Sequence, residues 1–241
     1  MELIINPTPQ ETAKAFAEYF YQTSEEIKNQ GRKFTVALSG GSTPKLLFDI
    51  LAKEYAHKTD WKNILFFWGD DRMVPPESLE SNYGEAKRIL FDHIDIPTEN
   101  IIPVNGINNP ADEAKAYTNK IESSVRHSNG RVEFDLMLLG MGDDGHTASI
   151  FPNQIALFHS PETCVVAEHP VSGQKRVSVT GKIINQSAQV VFLITGENKA
   201  VILDEILNKK GEYLKYPTTL VEPDSGKLLF YLDEDAANRL K

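Results

Sequence analysis

Two periodicities organise the apolar positions of this chain. After Thr8-Pro9-Gln10-Glu11, the residues Ala13, Phe16, Ala17 and Phe20 recur at helical spacing. Thr8 fits an N-cap, Pro9 the first turn and Glu11 the far side of a capping box, with Gly31 as the stop. Short, almost unbroken apolar runs at 33–38, 64–68 and 134–139 read instead as strands buried on both sides. Further strands are expected at 163–167, 176–180, 189–195 and 227–232. Helices are expected from Pro44 to about Tyr55, Asn82 to His93, Asn109-Pro110 to about Ser128, Gly196 to about Asn208, and over 233–240. Ile101-Ile102-Pro103-Val104 is a strand candidate that its proline demotes toward an edge.

Apolar strands that alternate with helices predict an α/β fold, a mainly parallel doubly wound sheet with helices on both faces. The stretch 153–187 breaks the alternation and is expected to form a small additional β/loop region. No linker divides residues 1–241, so one domain is expected.

Composition is ordinary for a globular chain, with 41% hydrophobic and 24% charged residues. The formal net charge of −9 disfavours nucleic acid and anionic membranes as partners. An anionic ligand therefore requires a local cluster of Arg and Lys. The lone cysteine, Cys164, excludes an intrachain disulfide and reads as a buried strand residue. Met1-Glu2-Leu3-Ile4-Ile5-Asn6 lacks the basic region and apolar stretch of a secretory signal, and no run approaches a membrane span. Cytoplasm is the expected location.

Three loops carry candidate chemistry, each directly after a strand. In parallel sheets that end is where ligands bind. Ser39-Gly40-Gly41-Ser42-Thr43-Pro44 opens a helix. Gly40 and Gly41 allow close backbone approach, Thr43 is expected as N-cap, and free N–H groups with Ser42 and Thr43 hydroxyls suit phosphate. It is neither a Walker loop nor a dinucleotide fingerprint. The alternative is a well-capped turn with no ligand.

Gly140-Met141-Gly142-Asp143-Asp144-Gly145-His146 follows the strand at 134–139. His146 is the candidate general base and Asp144 its orienting carboxylate. One His beside two Asp is weak spacing for a metal, so a base is preferred to a metal ligand at His146. The remaining histidines, His57, His93, His127, His159 and His169, lack such a setting and are expected to be structural or solvated.

Gly69-Asp70-Asp71-Arg72 forms the third loop. Arg72 can grip phosphate with two parallel N–H groups, and Asp70 can accept from a sugar hydroxyl or hold Arg72. The alternative is a surface ion pair of little energetic weight. Lys175-Arg176 opens a later strand, and either side chain can serve as a second positive clamp.

Together these segments resemble the 6-phosphogluconolactonase family. The likeness runs through Ser39–Pro44, Asp70-Asp71-Arg72 with Val74-Pro75, Ser81-Asn82-Tyr83, Gly140–Pro152, Arg176–Thr180, and Asn185 through Gly196-Glu197-Asn198-Lys199-Ala200. It implies hydrolysis of 6-phospho-D-glucono-1,5-lactone to 6-phosphogluconate in the oxidative pentose phosphate pathway, without metal or cofactor. It places His146 as the general base, Asp144 beside it, and Gly40–Thr43, Arg72 and Arg176 or Lys175 on the substrate. The partner implied is a small phosphorylated sugar lactone, bound by a monomer or small homo-oligomer. Asp71 stands where the family often has Glu, and Asp143 adds a charge that disfavours substrate if it points inward.

The nearest rival is a sugar-phosphate isomerase or deaminase resembling glucosamine-6-phosphate deaminase. That family reads Gly-His-Ile-Ala-Phe-Asn-Glu-Pro, whereas Gly145-His146-Thr147-Ala148-Ser149-Ile150-Phe151-Pro152 lacks the Asn-Glu pair. A non-catalytic sugar-phosphate sensor is the other alternative.

Overall fold

A computed structural model describes residues 1–240. Six parallel strands form the main sheet: β1 (Glu2–Asn6), β2 (Phe34–Leu38), β3 (Ile64–Trp68), β7 (Leu136–Leu139), β10 (Val190–Ile194) and β11 (Leu228–Asp233). Their spatial order is β1-β11-β10-β7-β2-β3. A second, antiparallel sheet has the order β4 (Asp70–Arg72), β9 (Lys175–Val179), β8 (Cys164–Glu168). A two-stranded ribbon pairs β5 (His127–Ser128) with β6 (Arg131–Val132). The helices are α1 (Pro9–Asn29), α2 (Ser42–Glu54), α3 (Asn82–Ile89), α4 (Pro110–Ser124), α5 (Gly181–Gln186), α6 (Ala200–Leu207) and α7 (Glu234–Ala237). None is long and apolar enough to cross a membrane.

The continuous apolar runs are explained by burial on both faces. Phe34, Val36 and Leu38 of β2 pack with Phe16, Phe20, Leu47 and Leu51 of α1 and α2. Ala37 of β2 joins Met137 and Leu139 of β7 in the opposite core, with Tyr117 and Ile121 of α4. Side chains alternate across a strand, so each run divides itself between two cores. The Thr8 cap works as expected: its Oγ1 accepts from the Glu11 N–H at 3.2 Å and donates to Glu11 Oε2 at 2.9 Å.

Several boundaries differ from expectation. The N-terminal residues form an edge strand, β1, beside β11. The helix expected to Ser128 ends at Ser124, and the β5–β6 ribbon begins at His127. The segment at 101–104 makes only a single bridge, Ile101 to Phe66. The last helix is one turn rather than the span 233–240. Asp70-Asp71-Arg72 is a strand, not a loop.

Chain order positions the site. From β2 the chain crosses to β3 on one side, while β7 arrives on the other side of β2. That reversal opens a crevice between neighbouring loops at the carboxyl ends of β2 and β7.

Candidate active site

The loop after β2 turns on Gly41, whose φ of +113° suits glycine alone. Gly41 is therefore the N-cap and α2 starts at Ser42, which corrects the expectation that Thr43 caps the helix. A cap side chain is unnecessary where the backbone itself makes the reversal. Thr43 is already inside the first turn, and its hydroxyl bonds Thr195 Oγ1 beyond β10 at 2.8 Å. Gly40 is fixed by space: a Cβ there would lie 1.9 Å from Asn82 Oδ1.

The loop after β7 is closed by its own hydrogen bonds. Gly142 N–H donates to the His146 carbonyl at 2.9 Å, and Thr147 Oγ1 donates to the Gly140 carbonyl at 3.0 Å. Thr218 Oγ1 holds the Gly145 carbonyl at 2.9 Å from outside. Within this frame His146 Nδ1 lies 2.6 Å from Asp144 Oδ1, which also accepts from the His146 N–H at 3.1 Å. A carboxylate there demands a proton on Nδ1, which leaves the Nε2 lone pair free. Burial disfavours the Asp144 charge, but the hydrogen bond and charge of His146 outweigh it and hold the carboxyl below its usual range. Gly142 must lack a side chain, because a Cβ would stand 2.1 Å from His146 Nδ1.

Antiparallel pairing of β4 and β9 sets the charged face. Asp70 is opposite Ser178, and Arg72 is opposite Arg176. Asp70 and Arg72, two residues apart, share one face; Asp71 projects to the other. There Asp71 accepts from the N–H groups of Arg72, Asn82 and Tyr83 at 2.7, 2.8 and 3.0 Å. Burial nonetheless pushes its carboxyl up to about 6. The bonds tie the start of α3, and with it Asn82, to β4.

On the charged face Ser149 Oγ donates to Asp70 Oδ2 at 2.5 Å, and Arg176 Nη1 donates to Ser149 Oγ at 3.3 Å. Arg176 is almost fully buried, and its Nε has no partner. Burial lowers its guanidinium from the ordinary arginine value, with Asp70 opposing that shift. Arg72 donates through Nη1 to the Glu80 carbonyl at 2.7 Å. Phe151 separates the two functional groups: its ring lies 4.6 Å from the His146 ring and 5.5 Å from the Arg176 guanidinium.

The loops meet around a cavity of about 180 Å³. Gly40, Gly41, Asp70, Arg72, His146 and Arg176 all line it. Ser42 and Thr43 instead line an adjoining cavity of about 120 Å³, which shares Gly40, Gly41, Gly140 and Met141 with the first. Lys175 lines neither. It sits on the opposite side of β9 from Arg176 and pairs with Glu168 across the hairpin, so of the two expected clamps only Arg176 reaches the site. Asp143 turns away from His146 toward Asn198 and Lys199.

Among the lining residues, Lys199 and Asn82 fall in segments that carry the family likeness but have no site role assigned from sequence. Lys199 enters the smaller cavity from the turn after β10, and Asn82 enters the larger from the start of α3. The signal for Lys199 was present: Gly196-Glu197-Asn198-Lys199 follows an apolar run, as the other site loops do. His93 and His127 bond backbone carbonyls elsewhere, while His169 packs edge-on against Phe151 at 5.4 Å. Among the described residues no group of three or more His, Cys, Asp or Glu is arranged to hold a metal ion.

Residues 7–230 match the model of a family described as glucosamine-6-phosphate isomerases/6-phosphogluconolactonase. The chain belongs to that family. A relative from Haemophilus influenzae, named 6-phosphogluconolactonase, is 45% identical over the full length of both chains. The solved structure of 6-phosphogluconolactonase from Trypanosoma brucei superposes with a TM-score of 0.88 at 29% identity, covering 100% of this chain and 98% of that one. A monomeric glucosamine-6-phosphate deaminase of 19% identity shares the fold, with a TM-score of 0.83 and coverage of 99% and 100%. This isomerase/lactonase family member thus shares its overall fold with both solved structures.

Proposed function

We propose that this chain is a 6-phosphogluconolactonase, hydrolysing 6-phospho-D-glucono-1,5-lactone to 6-phosphogluconate in the oxidative pentose phosphate pathway. The observation that carries the reading is the 2.6 Å contact between His146 Nδ1 and Asp144 Oδ1, beside a cavity shared with Gly40, Gly41, Arg72 and Arg176. The 45% identity to a full-length relative bearing that name supports the substrate class.

The substrate phosphate sits on the N-terminus of α2, where free N–H groups and the helix dipole attract an anion and Lys199 supplies a cation. The sugar extends across Gly40 and Gly140, which line both cavities, to His146. Asp70 and Asn82 face the ring hydroxyls there. His146 Nε2 takes a proton from water as the water oxygen attacks the lactone carbonyl. Asp144 steadies the imidazolium that forms. Arg72 and Arg176 meet the negative charge that develops on the carbonyl oxygen and later face the product carboxylate. The ring C–O bond breaks, and the C5 oxygen leaves as a hydroxyl with the proton from His146. The carboxylic acid formed releases its remaining proton to solvent, which gives the product carboxylate.

The lactone also opens unaided, so the test compares its lifetime with and without protein at neutral pH, using oxidation of 6-phosphogluconate as the readout. Acceleration above the spontaneous rate supports the proposal. Ammonia release from glucosamine 6-phosphate without lactone turnover would replace it with the deaminase reading.

A further inference from the structure

We propose that Asp143 sets the phosphate affinity of this site by competing with the ligand for Lys199. The inference rests on the phosphate seat described above. Lys199 Nζ pairs with Asp143 Oδ1, and Asn198 Nδ2 donates to the same oxygen at 2.7 Å. The two partners differ in exposure. Lys199 is 18% exposed and lines the cavity at the start of α2, whereas Asp143 is 70% exposed.

That asymmetry makes the pair exchangeable. An exposed carboxylate loses little when its ion pair opens, because water replaces the lysine. A phosphate arriving at the α2 N-terminus gains both the lysine and the helix N–H groups. The carboxylate thus acts as an internal anion, holding Lys199 in place while the seat is empty and lowering net affinity by the strength of its own pair. Product release benefits from the same exchange. Asp143 also adjoins Asp144, so the pair links the phosphate seat to the loop that carries His146.

The test is calorimetric titration of the intact protein with inorganic phosphate. Asp143→Asn should bind phosphate roughly two- to fivefold more tightly, the size of one partly exposed ion pair. Asp143→Glu, which keeps the carboxylate, should stay near wild-type affinity. In a Lys199→Gln background the Asp143→Asn change should give no gain. KM for the phosphorylated lactone should fall in Asp143→Asn, while KM for glucono-1,5-lactone, which lacks phosphate, should not move. Unchanged or weaker phosphate binding by Asp143→Asn, or the same gain without Lys199, overturns the proposal even if the wild type hydrolyses lactone. Lack of lactone turnover by the wild type would instead overturn the functional reading, and the phosphate titration would still judge Asp143.

Discussion

Arg72 and Arg176 stand directly opposite each other in the antiparallel pairing of β4 and β9. Like charges in that position repel and normally weaken a sheet. Here they share a face with Asp70, whose Oδ2 lies 3.9 Å from Arg176 Nη1, and that one carboxylate does not neutralise two guanidiniums. The remaining positive charge is directed at the cavity beside His146. In a chain of net charge −9, this local excess is the feature by which the proposed reaction would admit an anionic substrate.

Replacing Arg72 with Ala should therefore lower kcat/KM roughly tenfold or more, the scale of a lost charge-assisted hydrogen bond of about 1.5–3 kcal/mol. Arg72→Lys should recover only part of this, because an ammonium lacks the guanidinium fork. Initial rates over a range of lactone concentrations, with folding checked by circular dichroism, measure both. Lys175→Ala should leave kcat/KM close to wild type, since its side chain pairs with Glu168 outside the site.

Asp144→Asn replaces a carboxylate that only accepts with a neutral amide that can also donate, so the His146 tautomer is no longer fixed. The expected result is a kcat loss of about 10²–10⁴-fold, the range of a positioned general base, with little change in product binding. Stability should also respond to pH. The folded-state pKa of Asp144 is depressed, so its contribution is present above the unfolded carboxyl value and is lost as pH falls through the folded value. Acid unfolding curves of wild type and Asp144→Asn should converge at low pH and diverge at neutral pH.

Asp71 should behave with the opposite sign. Burial raises its carboxyl to about 6, so the folded protein holds a proton that the unfolded chain has released. Its contribution weakens stability as pH rises from about 4 to 6. Asp71→Asn should flatten that part of the stability curve, read from denaturant midpoints at successive pH values.

Gly142→Ala tests the packing of the base. The added Cβ would stand 2.1 Å from His146 Nδ1 and 2.7 Å from Asp144 Oδ1, so the His146 ring must leave its present position. Activity should fall strongly while the far-UV circular dichroism spectrum stays native.

The parallel core was legible because strands buried on both faces must be almost wholly apolar, as Ile64-Leu65-Phe66-Phe67-Trp68 is. The elements that escaped lack that mark. β4 is Asp70-Asp71-Arg72, polar at every position, and it is a strand only because β9, a hundred residues away, pairs with it. β1 is a five-residue edge strand with Leu3 and Ile5 exposed, too short to separate from a tail by pattern. His146, Asp144, Arg72 and the glycine turn were each visible as the sequel to an apolar run. The choice between Lys175 and Arg176 was not, because β9 had two candidate faces until β4 fixed its pairing. Lys199 carried the mark of following an apolar run, but its place beside α2 depends on β10 and β2 flanking β7, which no local pattern gives.

The proposed reaction turns on His146 removing the proton from the attacking water. The direct measurement is kcat for His146→Ala on freshly prepared 6-phospho-D-glucono-1,5-lactone, corrected for spontaneous opening, with 6-phosphogluconate affinity measured in parallel. The expected result is a rate close to the uncatalysed background with product binding largely kept. A variant that retains wild-type kcat would contradict it.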